Sequence, residues 1–237
     1  MTDEKLLYEG KAKNVYQAKQ ADEVLMVYKD QATAFNGKKK ELEPGKGVLN
    51  CKISSLVFDY LIKNGIKTHL VRNVSDHEQL VKKTEVFPLE VVLRNITAGS
   101  FAKKFDVETG THLEEPIIEF YYKSDALDDP FINESQIHAL KIADKQDIQY
   151  IKELTLKINQ LLIPFFAQGN FDLVDFKLEF GKIGSEIILV DEFSPDNCRL
   201  WDKQSHDSMD KDVFRKHEAD LVTTYQKVLD RLVSQEN

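Results

Sequence analysis

The stretch from Leu173 to Asp202, LVDFKLEFGKIGSEIILVDEFSPDNCRLWD, constrains the fold more than any other, because its ionisable residues recur with the period of a β-strand. A strand sends residues i, i+2 and i+4 to one face. In Val174-Asp-Phe-Lys-Leu-Glu-Phe180, Val174, Phe176, Leu178 and Phe180 therefore share one face, and Asp175, Lys177 and Glu179 share the other. Gly181-Lys-Ile-Gly184 reads as a hairpin turn, since glycine tolerates positive φ. The returning strand, Ile187-Ile-Leu-Val190, then delivers Asp191 and Glu192 close to Glu179. Two carboxylates converging from neighbouring strands beside a lysine suit an oxygen-ligated divalent cation, which in nucleotide sites is usually Mg²⁺ shared with the phosphates. The same alternation also fits a one-sided sheet with a solvated outer face and a single cross-strand ion pair.

Composition limits what such a site could serve. With 237 residues the chain can hold one large domain or two modest lobes around a substantial core. A net charge of −8 argues against a nucleic-acid surface, which carries a basic footprint. It leaves anionic small molecules open wherever lysines and arginines gather locally. The charged opening Met1-Thr-Asp-Glu-Lys5 contains no signal-peptide core, and no apolar run approaches the roughly 18 residues that span a bilayer. A cytoplasmic protein without membrane contact is expected. Cys51 and Cys198 match no zinc spacing and fit a reducing compartment without a disulfide. The six histidines show no transition-metal spacing.

Along the chain, Lys5 to Ala18 alternates around Glu9-Gly10-Lys11 as a hairpin, and Glu23 to Lys29 reads as a further strand. Leu49, Ile53, Leu56, Val57, Tyr60 and Leu61 have helical spacing, with Gly65 as a C-terminal stop. Lys67 to Val74 returns to strand, and Ser75-Asp-His-Glu78 has capping-box spacing. Val86 to Ile96 is a strand interrupted by Pro88, which predicts an edge or a bulge there. Ile117 to Tyr122 is another strand. Asp144 to Gln168 is an amphipathic helix that Pro164 should kink or end. A last helix spans about Asp210 to Val233 and buries Phe214, Leu221, Val222, Tyr225, Val228, Leu229 and Leu232. A lobe boundary near Glu85 divides the chain into residues 1–84 and 85–237.

Four further constellations carry charge. Glu9-Gly-Lys-Ala-Lys13 places Lys11 and Lys13 after a glycine in a tight turn, where backbone and ammonium groups could approach a triphosphate. The same residues also fit a solvated hairpin. Arg94-Asn-Ile-Thr-Ala-Gly-Ser100 precedes the helix-like Phe101 to Phe105, so Gly99 and Ser100, with Arg94 nearby, could hold a phosphomonoester or simply cap the helix. Lys38, Lys39 and Lys40, and the acidic segment Lys123 to Pro130, read as surface loops. Together these features describe ATP-dependent chemistry on a phosphorylated substrate.

The segments YEGKAKNVY, DQATAFNGKKK, GKGVLN, EVVLRNITAGSFAKKF, LVDFKLEFG and VDEFSPDNCRLWD, in this order, closely resemble the bacterial SAICAR synthetase family of purine biosynthesis. The resemblance extends from about Leu7 to the last helix. It implies an α+β, ATP-grasp-like fold of two lobes, with antiparallel sheets and flanking helices. It also implies an ATP- and Mg²⁺-dependent ligase joining L-aspartate to the carboxylate of CAIR, a carboxyaminoimidazole ribotide, and a homodimer. By position in these motifs, Lys11, Ala12 and Lys13 would meet the ATP phosphates and Val81 and Lys82 the adenine. Glu179 and Asp191 would hold Mg²⁺, with Lys177 at the transferred phosphoryl group. Arg94, Ser100 and Arg199 would take the ribotide phosphate, and Lys123, Asp129 and Asp196 the imidazole and its substituents. Asn36 stands where relatives can carry aspartate, and the L-aspartate pocket is not localised. A small-molecule kinase and a non-catalytic nucleotide-binding module are the alternatives that share the ATP and Mg²⁺ groups.

Overall fold

The computed structural model describes residues 5–34 and 39–234. Asn36-Gly37 and Lys38 lie outside them. The alternating N-terminal segment forms β1 (Leu6–Glu9), β2 (Lys13–Gln17) and β3 (Glu23–Tyr28), joined as antiparallel hairpins. Gly10 closes the first turn by donating to Lys13 O at 2.8 Å, and a Cβ there would lie 2.9 Å from that same oxygen. A separate ribbon, β4 (Gln31–Ala34) with β5 (Lys39–Leu42), leads to α1 (Lys46–Lys63). This helix begins three residues before its apolar repeat, and Gly65 follows its end at φ 79°.

Strands β6 (Leu70–Ser75) and β7 (Glu78–Lys82) complete the first sheet, in the order β1-β2-β3-β7-β6. Ser75 and Glu78 therefore face each other across a tight turn and cap no helix. The reason lies in Glu78 to Lys82, whose alternation buries Gln79 and Val81 along the edge of β3.

The second sheet is built around one long strand. It comprises β8 (Glu85–Val86), β9 (Leu89–Ile96), β10 (His112–Tyr122), β11 (Phe131–Ile132), β12 (Phe171–Ile183), β13 (Glu186–Val190) and β14 (Cys198–Asp202). Along one edge of β12 run β9 and then β8, interrupted at Phe87-Pro88 as the proline predicts. Along the other run β14 and then β13, so residues 191–197 arch out beside the middle of β12. Gly181 is not in the turn but inside β12; the turn is Gly184-Ser185, with Gly184 at φ 61°. Gly181 meets a steric demand instead, since a Cβ there would lie 2.8 Å from Thr84 Oγ1.

Helices α2 (Gly99–Phe105), α3 (Glu134–Ala139) and α4 (Lys145–Gln168) flank this sheet. α4 starts at Asp144, which accepts from Asp147 N at 2.8 Å, and continues through Pro164 to Gln168. An interior proline costs about 3 kcal/mol, and burial of Ile151, Ile158, Leu162 and Phe166 in the main core offsets it. The expected last helix is two helices, α5 (Asp212–Lys216) and α6 (Leu221–Val233). His217 at φ 58° ends the first and Asp220 caps the second, accepting from Thr223 N at 2.7 Å. This break lets Val213 and Phe214 pack into the same cluster as Leu221 and Tyr225.

The chain passes from the first sheet to the second between Lys82 and Glu85. Ile53, Val57, Phe58 and Leu61 of α1 nevertheless belong to the core under the second sheet. Among the described residues no helix is long and apolar enough to cross a membrane.

Candidate active site

A cleft of about 700 Å³ opens between the two sheets. The β1–β2 turn contributes Lys11, Ala12 and Lys13, and the end of β7 contributes Val81 and Lys82. From the second sheet come Lys123, Asp129, Lys177, Glu179, Asp191 and Glu192. Every residue that the sequence assigns to ATP or to the metal thus lies on one surface. Lys11 also reaches Asp125 across the cleft mouth at 2.7 Å, which places the acidic segment 123–130 at the site.

The polar face of β12 is enclosed: Asp175 and Glu179 are only 4% and 3% exposed, so the solvated-face reading of the alternation does not hold. Glu179 pairs with Val190 in the ladder, which puts Asp191 immediately beside it. Asp191 adopts φ 68°, a left-handed conformation that aspartate tolerates better than most residues. Lys177 Nζ stands between the two carboxylates, 2.6 Å from Glu179 and 3.1 Å from Asp191, with Glu90 at 3.5 Å. Lys123 pairs with Glu179, and Lys13 pairs with Asp191 and lies 3.4 Å from Glu192.

Burial alone would lower the Lys177 pKa, but Asp191, Glu179 and Glu90 outweigh it and hold the ammonium well above its ordinary value. Burial would likewise raise Asp191, yet Lys13 and Lys177 pull it well below the usual carboxylate range. Glu192 goes the other way: burial raises it, and Asp191 adds to the rise.

The donor set suits a hard cation. Glu179 and Asp191 offer oxygen ligands only, close enough to share one ammonium group. Among the described residues no cluster of three or more His, Cys, Asp or Glu could hold a metal by itself. Mg²⁺ at nucleotide sites needs no such cage, since it binds through one or two carboxylates plus phosphate oxygens and water.

The residues assigned to the ribotide phosphate form a second cluster outside this cleft. The strand ladders place both Arg94 of β9 and Arg199 of β14 opposite Asp175. Asp175 Oδ2 accepts from Arg94 Nη1 and from Arg199 Nη1, each at 2.8 Å. Arg94 Nε also donates to Glu119 at 2.7 Å and Nη2 to Ser100 Oγ at 3.4 Å, while Arg199 Nε donates to Asp212 at 3.0 Å. Gly99, at φ 55°, lies under the Arg199 guanidinium; a Cβ there would come 2.4 Å from Nη2. Asp175, Lys177 and Glu179 share a face, so the partner of the two arginines, the lysine and the second carboxylate follow one another over about 13 Å of a single strand.

Asp196, with a side chain 4% exposed, is bonded to Lys46 and accepts from Tyr225 Oη at 2.7 Å. Sequence reasoning missed Lys46, which is wholly buried at the start of α1, because Gly45-Lys-Gly47 reads as a loop. It also gave Asp175 no role beyond its face, and gave His69 none. The period-2 pattern carried a signal for Asp175; only the tertiary fold reveals His69.

Residues 6–232 match the SAICAR synthetase family. The chain is 57% identical over 229 residues to phosphoribosylaminoimidazole-succinocarboxamide synthase of Latilactobacillus sakei, covering 97% of this chain and 95% of that one. Its identity to the enzyme of that name from Streptococcus uberis is 58%, over 96% and 97% of the two chains. Among solved structures, phosphoribosylaminoimidazole-succinocarboxamide synthase from Ehrlichia chaffeensis superposes with a TM-score of 0.94 at 43% identity, covering 97% and 98%. A SAICAR synthetase in complex with ADP gives 0.93 at 44% identity, covering 96% and 97%.

Proposed function

Because this chain belongs to the SAICAR synthetase family, we infer that it joins L-aspartate to the carboxylate of CAIR, forming SAICAR while ATP becomes ADP and phosphate, in purine (IMP) biosynthesis. It is an ATP-dependent ligase. The observation that carries the reading is the position of Lys177 between Glu179 and Asp191 in the inter-sheet cleft.

The chemistry explains the need for ATP. An amine does not displace oxide from a carboxylate anion. Transfer of the γ-phosphoryl group to a CAIR carboxylate oxygen gives an acyl phosphate and ADP. The aspartate amine then attacks the carbonyl carbon, phosphate leaves with the bonding pair, and the amine loses its proton. In such transfers the protein chiefly positions groups and neutralises charge.

In this reading Lys11, Ala12 and Lys13 hold the ATP phosphates, and Val81 and Lys82 flank the adenine. Glu179 and Asp191 hold Mg²⁺, which when bound neutralises phosphate charge. Lys177 donates hydrogen bonds to the phosphoryl group in transit. Arg94, Ser100 and Arg199 bind the ribotide phosphate, and Lys123, Asp129 and Asp196 serve the imidazole side. The first lobe, residues 1–84, covers the nucleotide, and residues 85–237 carry the metal and substrate groups. The shared face of β12 supports this order, since Asp175 with its two arginine partners, Lys177 and Glu179 follow one another along a single strand.

The decisive assay supplies ATP, Mg²⁺ and CAIR and follows ADP. Release that depends on L-aspartate is expected; aspartate-independent ADP release with a phosphorylated product would indicate a kinase instead, and no release a non-catalytic module. The same reading proposes a cytoplasmic homodimer. Sedimentation equilibrium at micromolar concentration should return twice the chain mass, and a monomer mass would remove the dimer.

A further inference from the structure

His69 is a buried polar residue of the cleft with both of its ring nitrogens unpaired among the described residues. It is 4% exposed, and neither Nδ1 nor Nε2 has a hydrogen-bond partner among the described residues, although the residue lines the cleft. Its backbone is fixed between the two sheets: His69 N donates to Leu189 O at 2.9 Å, and His69 O accepts from Lys82 N at 2.8 Å. Phe58 packs against the imidazole with ring centroids 5.5 Å apart. Burial pushes the pKa down to about 3, so the ring is neutral at physiological pH. A neutral imidazole carries one donor and one acceptor nitrogen.

Leaving a buried donor or acceptor unpaired carries a free-energy cost. A chain that keeps such a group at the wall of a binding cleft recovers that cost when a ligand supplies the partner atoms. The neighbourhood defines the ligand. His69 is bonded through its backbone to the residues adjoining Val81 and Val190, which with Met26 form apolar wall of the same cleft. A flat heteroaromatic ring would meet these residues with its faces and His69 with its polar edge.

We propose that His69 is a specificity-determining residue for the nucleotide base, its neutral ring accepting a hydrogen bond from the exocyclic amine of adenine. The proposal rests on the reading of the cleft as the ATP site, and the test separates the two. ADP and purine riboside diphosphate, which lacks the amine, are titrated with Mg²⁺ into wild type, His69→Leu and His69→Gln. Wild type should bind ADP about tenfold tighter than the analogue, and His69→Leu should lose about tenfold in ADP affinity and most of that discrimination. His69→Gln, which keeps an acceptor, should restore both in large part. KM for CAIR and for L-aspartate should stay within about twofold, and the melting temperature of ligand-free His69→Leu should not fall, because leucine removes an unpaired polar group.

Equal losses for ADP and the analogue, no loss for ADP, or failure of glutamine to rescue would each overturn the role of His69 while leaving the cleft as the nucleotide site. If wild type bound neither nucleotide, the reading of the cleft would fall and this proposal with it.

Discussion

Asp191→Asn is expected to lower kcat by about 10²–10³-fold or more, the scale on which removing one preorganised charge-stabilising group acts, with the fold retained. Asparagine keeps the shape of the side chain and tolerates the left-handed backbone that Asp191 adopts at φ 68°, so the substitution removes charge without adding strain. Asp191→Ala would confound the two. Steady-state kinetics across a Mg²⁺ series, with circular dichroism on the same samples, checks the result. Near-normal turnover at ordinary Mg²⁺ would remove Asp191 from the metal site.

The same carboxylate has a signature in acid. Lys13 and Lys177 depress its pKa in the folded chain. Its contribution to stability is therefore complete above the ordinary carboxylate pKa and is lost as pH falls through the lower folded value. Asp191→Asn should accordingly flatten the acid limb of the stability profile relative to wild type.

The second large effect concerns the arginine pair. Arg94→Ala leaves Glu119 and Asp175, both buried, short of a partner. Breaking a buried ion pair by removing one member costs about 3–5 kcal/mol, so this variant should show first as a drop in melting temperature. The phosphate role is tested more cleanly at Arg199, which is 19% exposed. Arg199→Lys keeps a positive charge near Asp175 but gives up the planar fork that binds phosphate through two parallel hydrogen bonds. KM for CAIR should rise by roughly tenfold or more, since a charge-assisted hydrogen bond contributes about 1.5–3 kcal/mol. KM for ATP should stay within about twofold. Equal losses for both substrates would move Arg199 out of the phosphate site.

What could be read before folding was whatever local period controls. Asp175, Lys177 and Glu179 share a face because a strand alternates, and Asp191 lies beside Glu179 because the hairpin register puts it there. Lys11 and Lys13 were visible because the glycine turn between them and β1 is itself local. Other features depended on distant contacts. β14 was not recognised as a strand, yet its pairing with β12 turns Arg199 from a loop residue into the partner of Asp175. The break between α5 and α6 follows from packing of Val213, Phe214, Leu221 and Tyr225 into one cluster, which an unbroken helical repeat does not encode. Lys46 and His69 gained their meaning only through burial. At Pro164 the helix does not end, since core contacts hold it together through the proline to Gln168.

The course of α1 also bears on how the chain acquires its structure. This helix follows the first five strands in sequence, but its apolar side is rooted beneath the second sheet, through Ile53, Val57, Phe58 and Leu61. A fragment ending at residue 84 would expose that side to water, and a fragment starting at 85 would carry a core with one wall missing. Neither half can therefore be an autonomous folding unit. Residues from both ends of the sequence are then expected to condense together, and the two sides of the cleft to melt as one cooperative body.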